Sequence, residues 1–172
     1  MKPVRRGHRG RCAGLLALLA LLPLLAFADR PAVVLDPGPA GQALTGTVAV
    51  TADAPLDAVL GGSVSWTYPS GSLRTARGEP RWLRVQFRVT EPGRFLLLEL
   101  PTTALRTVDF YGPFTTDGEA LEAPVHSGLR EPYATRPLGS ERAVMPLGHL
   151  APGDYRAYAR VQADLTHTVT PI

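Results

Sequence analysis

Between Arg81 and Val89, the residues Leu83, Val85, Phe87 and Val89 alternate with Trp82, Arg84, Gln86 and Arg88. A period of two is the pattern of a strand with one buried face, and no helix can place those four apolar side chains on one side. Pro92-Gly93 then supplies the residues a tight reversal needs, and the apolar run Phe95–Leu100 follows. Folded back at that turn, Val89 lies opposite Leu96, Phe87 opposite Leu98 and Val85 opposite Leu100. The other face then pairs Arg88 with Leu97 and Gln86 with Glu99, and a one-residue slip would bury arginines. The expectation is the central hairpin of an antiparallel β-sandwich.

The flanking sequence reads the same way. Short strands are expected at Ala32–Leu35, Leu44–Thr51, Ser63–Tyr68, Leu105–Tyr111, Arg142–Leu147, Tyr155–Gln162 and Thr166–Ile172. Asp53 is placed as the N-cap of a single helical turn or two, with Pro55 near its start and Gly61 at its end. Pro69–Pro80 reads as loop, Asp117-Gly118 as a turn, and Gly128–Gly139 as the longest irregular stretch. Many short strands with turn signals between them, and no long helical period, imply an all-β antiparallel sandwich.

Residues 1–28 carry the marks of an export leader rather than of a fold. Lys2, Arg5, Arg6, Arg9 and Arg11 precede an apolar run that ends in Ala26-Phe27-Ala28, the small-x-small pattern of signal-peptidase cleavage. Cleavage after Ala28 leaves one domain over residues 29–172 in the periplasm; the alternative is an uncleaved anchor in the inner membrane. Five of the 18 basic residues and none of the 15 acidic ones lie in the leader, leaving thirteen arginines and a formal charge of −2. The basic isoelectric point therefore belongs to the leader, and no clustered basic footprint argues for nucleic acid. Beyond the leader there is no Cys, Lys or Asn, which excludes disulfides, thiolate metal sites and a cysteine nucleophile.

The ordered set Trp82-Leu-Arg-Val-Gln-Phe, Leu96-Leu-Leu-Glu-Leu, Leu105-Arg-Thr-Val-Asp-Phe-Tyr, Asp117-Gly118, Arg136-Pro137, Pro146-Leu147, Pro152-Gly153 and Tyr158-Ala-Arg-Val carries a resemblance. It resembles the extracellular domain, of the second type, of the bacterial seven-transmembrane receptors with diverse intracellular signalling modules. Two positions depart from the family pattern: Thr90 or Glu91 stands where an Asn is usual, and Arg106 where an Asp is usual. The resemblance implies a jelly roll similar to carbohydrate-binding modules, acting as a ligand sensor ahead of membrane helices and a cytoplasmic output. The sequence ends at Ile172 with no membrane segment after the domain. The expectations are therefore a periplasmic binder, a subunit docking on a membrane signalling partner, or a shortened receptor.

Ligand-like chemistry concentrates on the polar faces of two strands. Trp82, Arg84 and Arg88 share one, and Tyr158 and Arg160 share the other. Aromatic rings stack on sugars, and guanidinium groups donate directional hydrogen bonds to hydroxyls or carboxylates. If both strands enter one sheet, that face is a candidate site for a carbohydrate or a small acidic ligand. Tyr133 and Arg136 join the candidates because loops carry sites. Catalysis finds no support: His126, His149 and His167 are dispersed, and neither a nucleophile elbow nor a phosphate-binding glycine loop occurs. No metal and no cofactor are expected, and Arg142 is expected to pair with its neighbour Glu141 or to serve a turn.

Overall fold

A computed structural model describes residues 32–35, 41–44, 47–69, 73–75, 77–93, 95–100, 104–163 and 167–169. These fall in one compact unit, Pro31–Ile172; the expected leader lies outside them. The described residues are almost entirely β. The elements are β1 (Val33–Val34), β2 (Ala49–Ala52), α1 (Leu56–Leu60), β3 (Leu73–Thr75), β4 (Arg81–Val89), β5 (Phe95–Leu100), β6 (Leu105–Thr115), β7 (Val125–Ser127), β8 (Ala143–His149), β9 (Gly153–Ala163) and β10 (His167–Val169).

A six-stranded sheet runs in the order β1-β4-β9-β6-β7, with β2 sharing the β1 edge of β4. The β1–β4 pairing is parallel; the others in that sheet are antiparallel. Two further ladders, β5–β8 and β3–β10, are antiparallel pairs. The inner face of the large sheet (Leu83, Val85, Phe87, Val108, Phe110, Ala157, Ala159 and Val161) and that of the β5–β8 ladder (Leu98, Leu100, Met145 and Leu147) form one buried apolar cluster. Each fully buried large side chain contributes on the order of 1.5–3 kcal/mol, so the alternation in the sequence is what drives the two layers together.

The expected hairpin does not form. β4 bonds to β9 over its whole length and to β1 and β2 on its other edge, while β5 bonds to β8. The chain therefore passes from one layer to the other between β4 and β5. Val85 and Leu100 still meet, but across the core rather than side by side. The physical reason is that face-to-face packing encloses both apolar faces, whereas a hairpin would leave each needing another cover. The exchange also places Arg88 against Asp154 in place of Leu97.

Other differences are local. Asp53 does not cap α1; the N-cap position is Pro55 without a side-chain bond, and the Asp53 carboxylate is held by Arg160. Ser63–Tyr68 is not a strand; it meets β2 at the isolated Val50–Thr67 bridge. The expected loop Pro69–Pro80 contains β3, which pairs with β10. Arg142 reaches across the β5–β8 ladder to Glu99 rather than to Glu141. Within β6, a bulge between Tyr111 and Phe114 lets both rings reach the outer face of the large sheet. Gly112 in that bulge has φ +102°, and a Cβ there would stand 2.7 Å from the Phe114 ring and 3.0 Å from the Arg156 carbonyl oxygen.

Candidate ligand-binding face

β4 and β9 do enter one sheet, and their register sets Trp82 opposite Arg160, Arg84 opposite Tyr158, Gln86 opposite Arg156 and Arg88 opposite Asp154. Five of the seven residues singled out from sequence therefore share one outer face. That face is not open. The segment 53–68, with α1 at its centre, folds over it, and Trp82, Arg84 and Tyr158 are only 1 %, 7 % and 5 % exposed.

The covering segment is bound by contacts of several kinds. Val59 packs on Trp82 and Tyr158. Trp82 Nε1–H donates to the Ala54 carbonyl at 2.9 Å, and the Trp66 ring lies 6.0 Å from that of Tyr158. The Arg84 guanidinium sits 4.7 Å over the Trp66 ring and donates to the Tyr68 hydroxyl at 3.2 Å. Trp82, Arg84 and Tyr158 thus hold the cover in place, with the Trp82 indole N–H and the Arg84 Nη2 turned to protein rather than to solvent.

Arg88 lies at the far end of the face, exposed, in a bidentate pair with Asp154 at 2.7 and 2.9 Å. The hydrogen bonds from Arg88 hold the Asp154 carboxyl below its ordinary value. Tyr133 and Arg136 sit elsewhere: Tyr133 opens a 3-10 turn (Tyr133–Thr135), and Arg136 links it, in extended conformation, to a second (Pro137–Gly139) that packs beside β8. Arg136 turns inward, donating through Nε and Nη2 to the Glu131 carbonyl at 3.1 and 3.0 Å, with its guanidinium 5.8 Å from the Tyr133 ring.

Where the cover begins, it leaves a cleft of about 440 Å³ lined by Asp53, Pro55 and Leu56 on one wall and by Trp82, Tyr111 and Arg160 on the sheet. That volume lies in the range of small-ligand sites. Arg160 donates through Nε and Nη2 to the two Asp53 carboxylate oxygens at 2.8 and 2.9 Å. These bonds hold the Asp53 carboxyl below its ordinary value and raise Arg160. Tyr111 leans on Trp82 with ring centres 5.4 Å apart. Burial, and then the charge of Asp109, pushes its phenol up. Asp109 is the register partner of Arg160 on β6, and its carboxylate meets His126 Nδ1 at 2.8 Å. Among the described residues no group of three or more His, Cys, Asp or Glu converges as a metal site would.

Sequence reasoning passed over Asp53, Asp109 and Tyr111. The signal existed in part, since placing Val108 and Phe110 inward puts Asp109 and Tyr111 outward. Nothing in one sequence placed β6 beside β9.

Residues 69–172 match the family described as 7TMR-DISM extracellular 2. The chain belongs to that family. No curated protein matches it. The 7TMR-DISM extracellular 2 family consists of sensory domains from the extracellular part of membrane receptors, so the resemblance read from Trp82 onward holds. The sheet side of the cleft lies inside the matched span, whereas Asp53, Pro55 and Leu56 precede it. No helix among the described residues is long and apolar enough to cross a membrane.

Proposed function

We propose that this 7TMR-DISM extracellular 2 domain is a periplasmic sensor that takes a small ligand in the cleft between the covering segment and the large sheet. The observation that carries the reading is the cleft itself, where a Tyr111 ring backed by Trp82 adjoins the Asp53–Arg160 pair. An aromatic surface beside directional donors and acceptors is the equipment of a site for a ring-shaped polar ligand, a carbohydrate included. Family membership supports a jelly-roll sandwich related to carbohydrate-binding modules, a binding rather than catalytic role, and a membrane signalling protein as the recipient of the signal; the basic residues and the Ala26-Phe27-Ala28 end of the apolar run support a leader removed after Ala28.

The test is thermal unfolding of the purified protein against a panel of neutral and acidic saccharides. A ligand that binds only the native state raises the midpoint by mass action. The expected result is a saturable rise that disappears in Tyr111→Ala; a rise that survives Tyr111→Ala refutes the cleft as the site. A second reading, docking on a membrane partner, draws on a different surface. Phe95 and Leu97 stand exposed on the outer side of the β5–β8 ladder. It predicts co-purification with a membrane receptor that is lost in Leu97→Glu.

A further inference from the structure

β5 is apolar on both faces. Phe95 and Leu97 point outward and Leu96, Leu98 and Leu100 inward, and Glu99 alone breaks the run. A strand with one face to solvent alternates, whereas a near-continuous apolar run suits a strand covered on both sides. Yet Phe95 and Leu97 are 51 % and 46 % exposed. The edge of β5 is equally unguarded. Among the described residues, β8 is the only strand that pairs with it. Proteins blunt a sheet edge with proline, a bulge, an unpaired charge or a very short strand. β1, β3, β7 and β10 are two or three residues long, but β5 has six, without proline or glycine. The extra residue at the Leu96/Leu97 irregularity lies on β8, and Glu99 is taken up by Arg142.

We infer that β5 is a dimer edge, pairing antiparallel with β5 of a second copy into one four-stranded layer, β8-β5-β5-β8. Self-complementarity selects a second copy as the occupant. Directly opposed residues of an antiparallel pair share a face. A two-fold axis at Leu97 therefore sets Leu97 on Leu97, Leu96 on Leu98 and Phe95 on Glu99. No like charges face each other, and the charge of Glu99 already belongs to Arg142. One strand supplies both halves of the contact, as a two-fold interface requires. The inference does not depend on the cleft.

Sedimentation velocity of the purified protein over roughly a hundredfold range of concentration is expected to show a monomer–dimer equilibrium, since association follows mass action. Leu97→Glu, which sets two carboxylates on the axis, is expected to weaken the dimer at least about tenfold while cooperative unfolding is retained. Cross-linking reads the register independently. With Cys12 replaced by serine, Leu97→Cys is expected to oxidise to a covalent dimer. Phe95→Cys is not, because its counterpart stands roughly 13 Å away along the strands, beyond disulfide reach. A monomer at every concentration overturns the inference. So does a dimer indifferent to Leu97→Glu, or one joined through Phe95→Cys and not through Leu97→Cys. A monomer that co-purifies with a membrane receptor through Leu97 overturns it as well, and makes β5 the receptor's docking strand.

Discussion

Trp82 shows how one side chain joins two layers. Its ring is buried beneath the covering segment, and its indole N–H is satisfied by a carbonyl 28 residues upstream. Trp82→Ala should cost about 3–5 kcal/mol in urea unfolding, and Trp82→Phe about 1 kcal/mol, mainly for the lost hydrogen bond. In sequence this residue was legible as lying on the outer face, but a row of Trp, Arg, Gln and Arg reads as a solvated face. The residues that bury it, Ala54 and Val59, belong to a segment whose destination no local pattern records. Asp53 carries a second prediction. Its folded carboxyl titrates below the ordinary value near 3.9 of an unfolded aspartate. The Arg160 pair therefore stabilises fully above about pH 4, and that contribution is lost as pH falls through the lower folded value. Asp53→Asn should accordingly show a shallower loss of stability between about pH 5 and 3 than the parent. The difference should stay under about 1 kcal/mol because the pair is partly exposed. Equal acid limbs in both proteins would refute the pair's role.

At the scale of elements, the periodicity of β4 and β9 was readable and the partner of β4 was not. Alternation says which side chains share a face, while Pro92-Gly93 says only that the chain changes direction. A tight turn within a sheet and a passage between sheets use the same residues, and the outcome depends on whether a better edge partner exists elsewhere. Here β9 supplies it, some 66 residues away. With no native cysteine after Cys12, engineered pairs test this directly. Gln86→Cys with Arg156→Cys should oxidise readily, since directly opposed residues place their Cα atoms within disulfide range. Gln86→Cys with Glu99→Cys, the pair a hairpin would unite, should not. In β6, Gly112→Ala should cost roughly 1–3 kcal/mol because the backbone is left-handed and the space is already filled. A neutral substitution there would show that the bulge relaxes at no cost.

For the molecule as a whole, the class was legible because every strand signal and every missing helix period agreed. The cleft was not, because its walls come from β2's exit, β4, β6 and β9, which only the assembled topology brings together. Folding should be slow for the same reason. Central pairings between distant segments must pay loop-closure entropy before they are rewarded, so refolding by stopped flow is expected in the range of about milliseconds to seconds. Submillisecond refolding would contradict the strand order. The covering segment leaves the sheet after β2 and returns at Thr67, which bonds back to Val50 on the same strand. Its two ends meet, so a change of length between them costs little in loop closure, provided Val59 and Trp66 keep their places over the sheet. It also precedes the span matched to the family. The covering wall of the cleft is thus a closed flap sewn to the sheet at both ends, and it can lengthen or shorten between its stitches without re-pairing a strand.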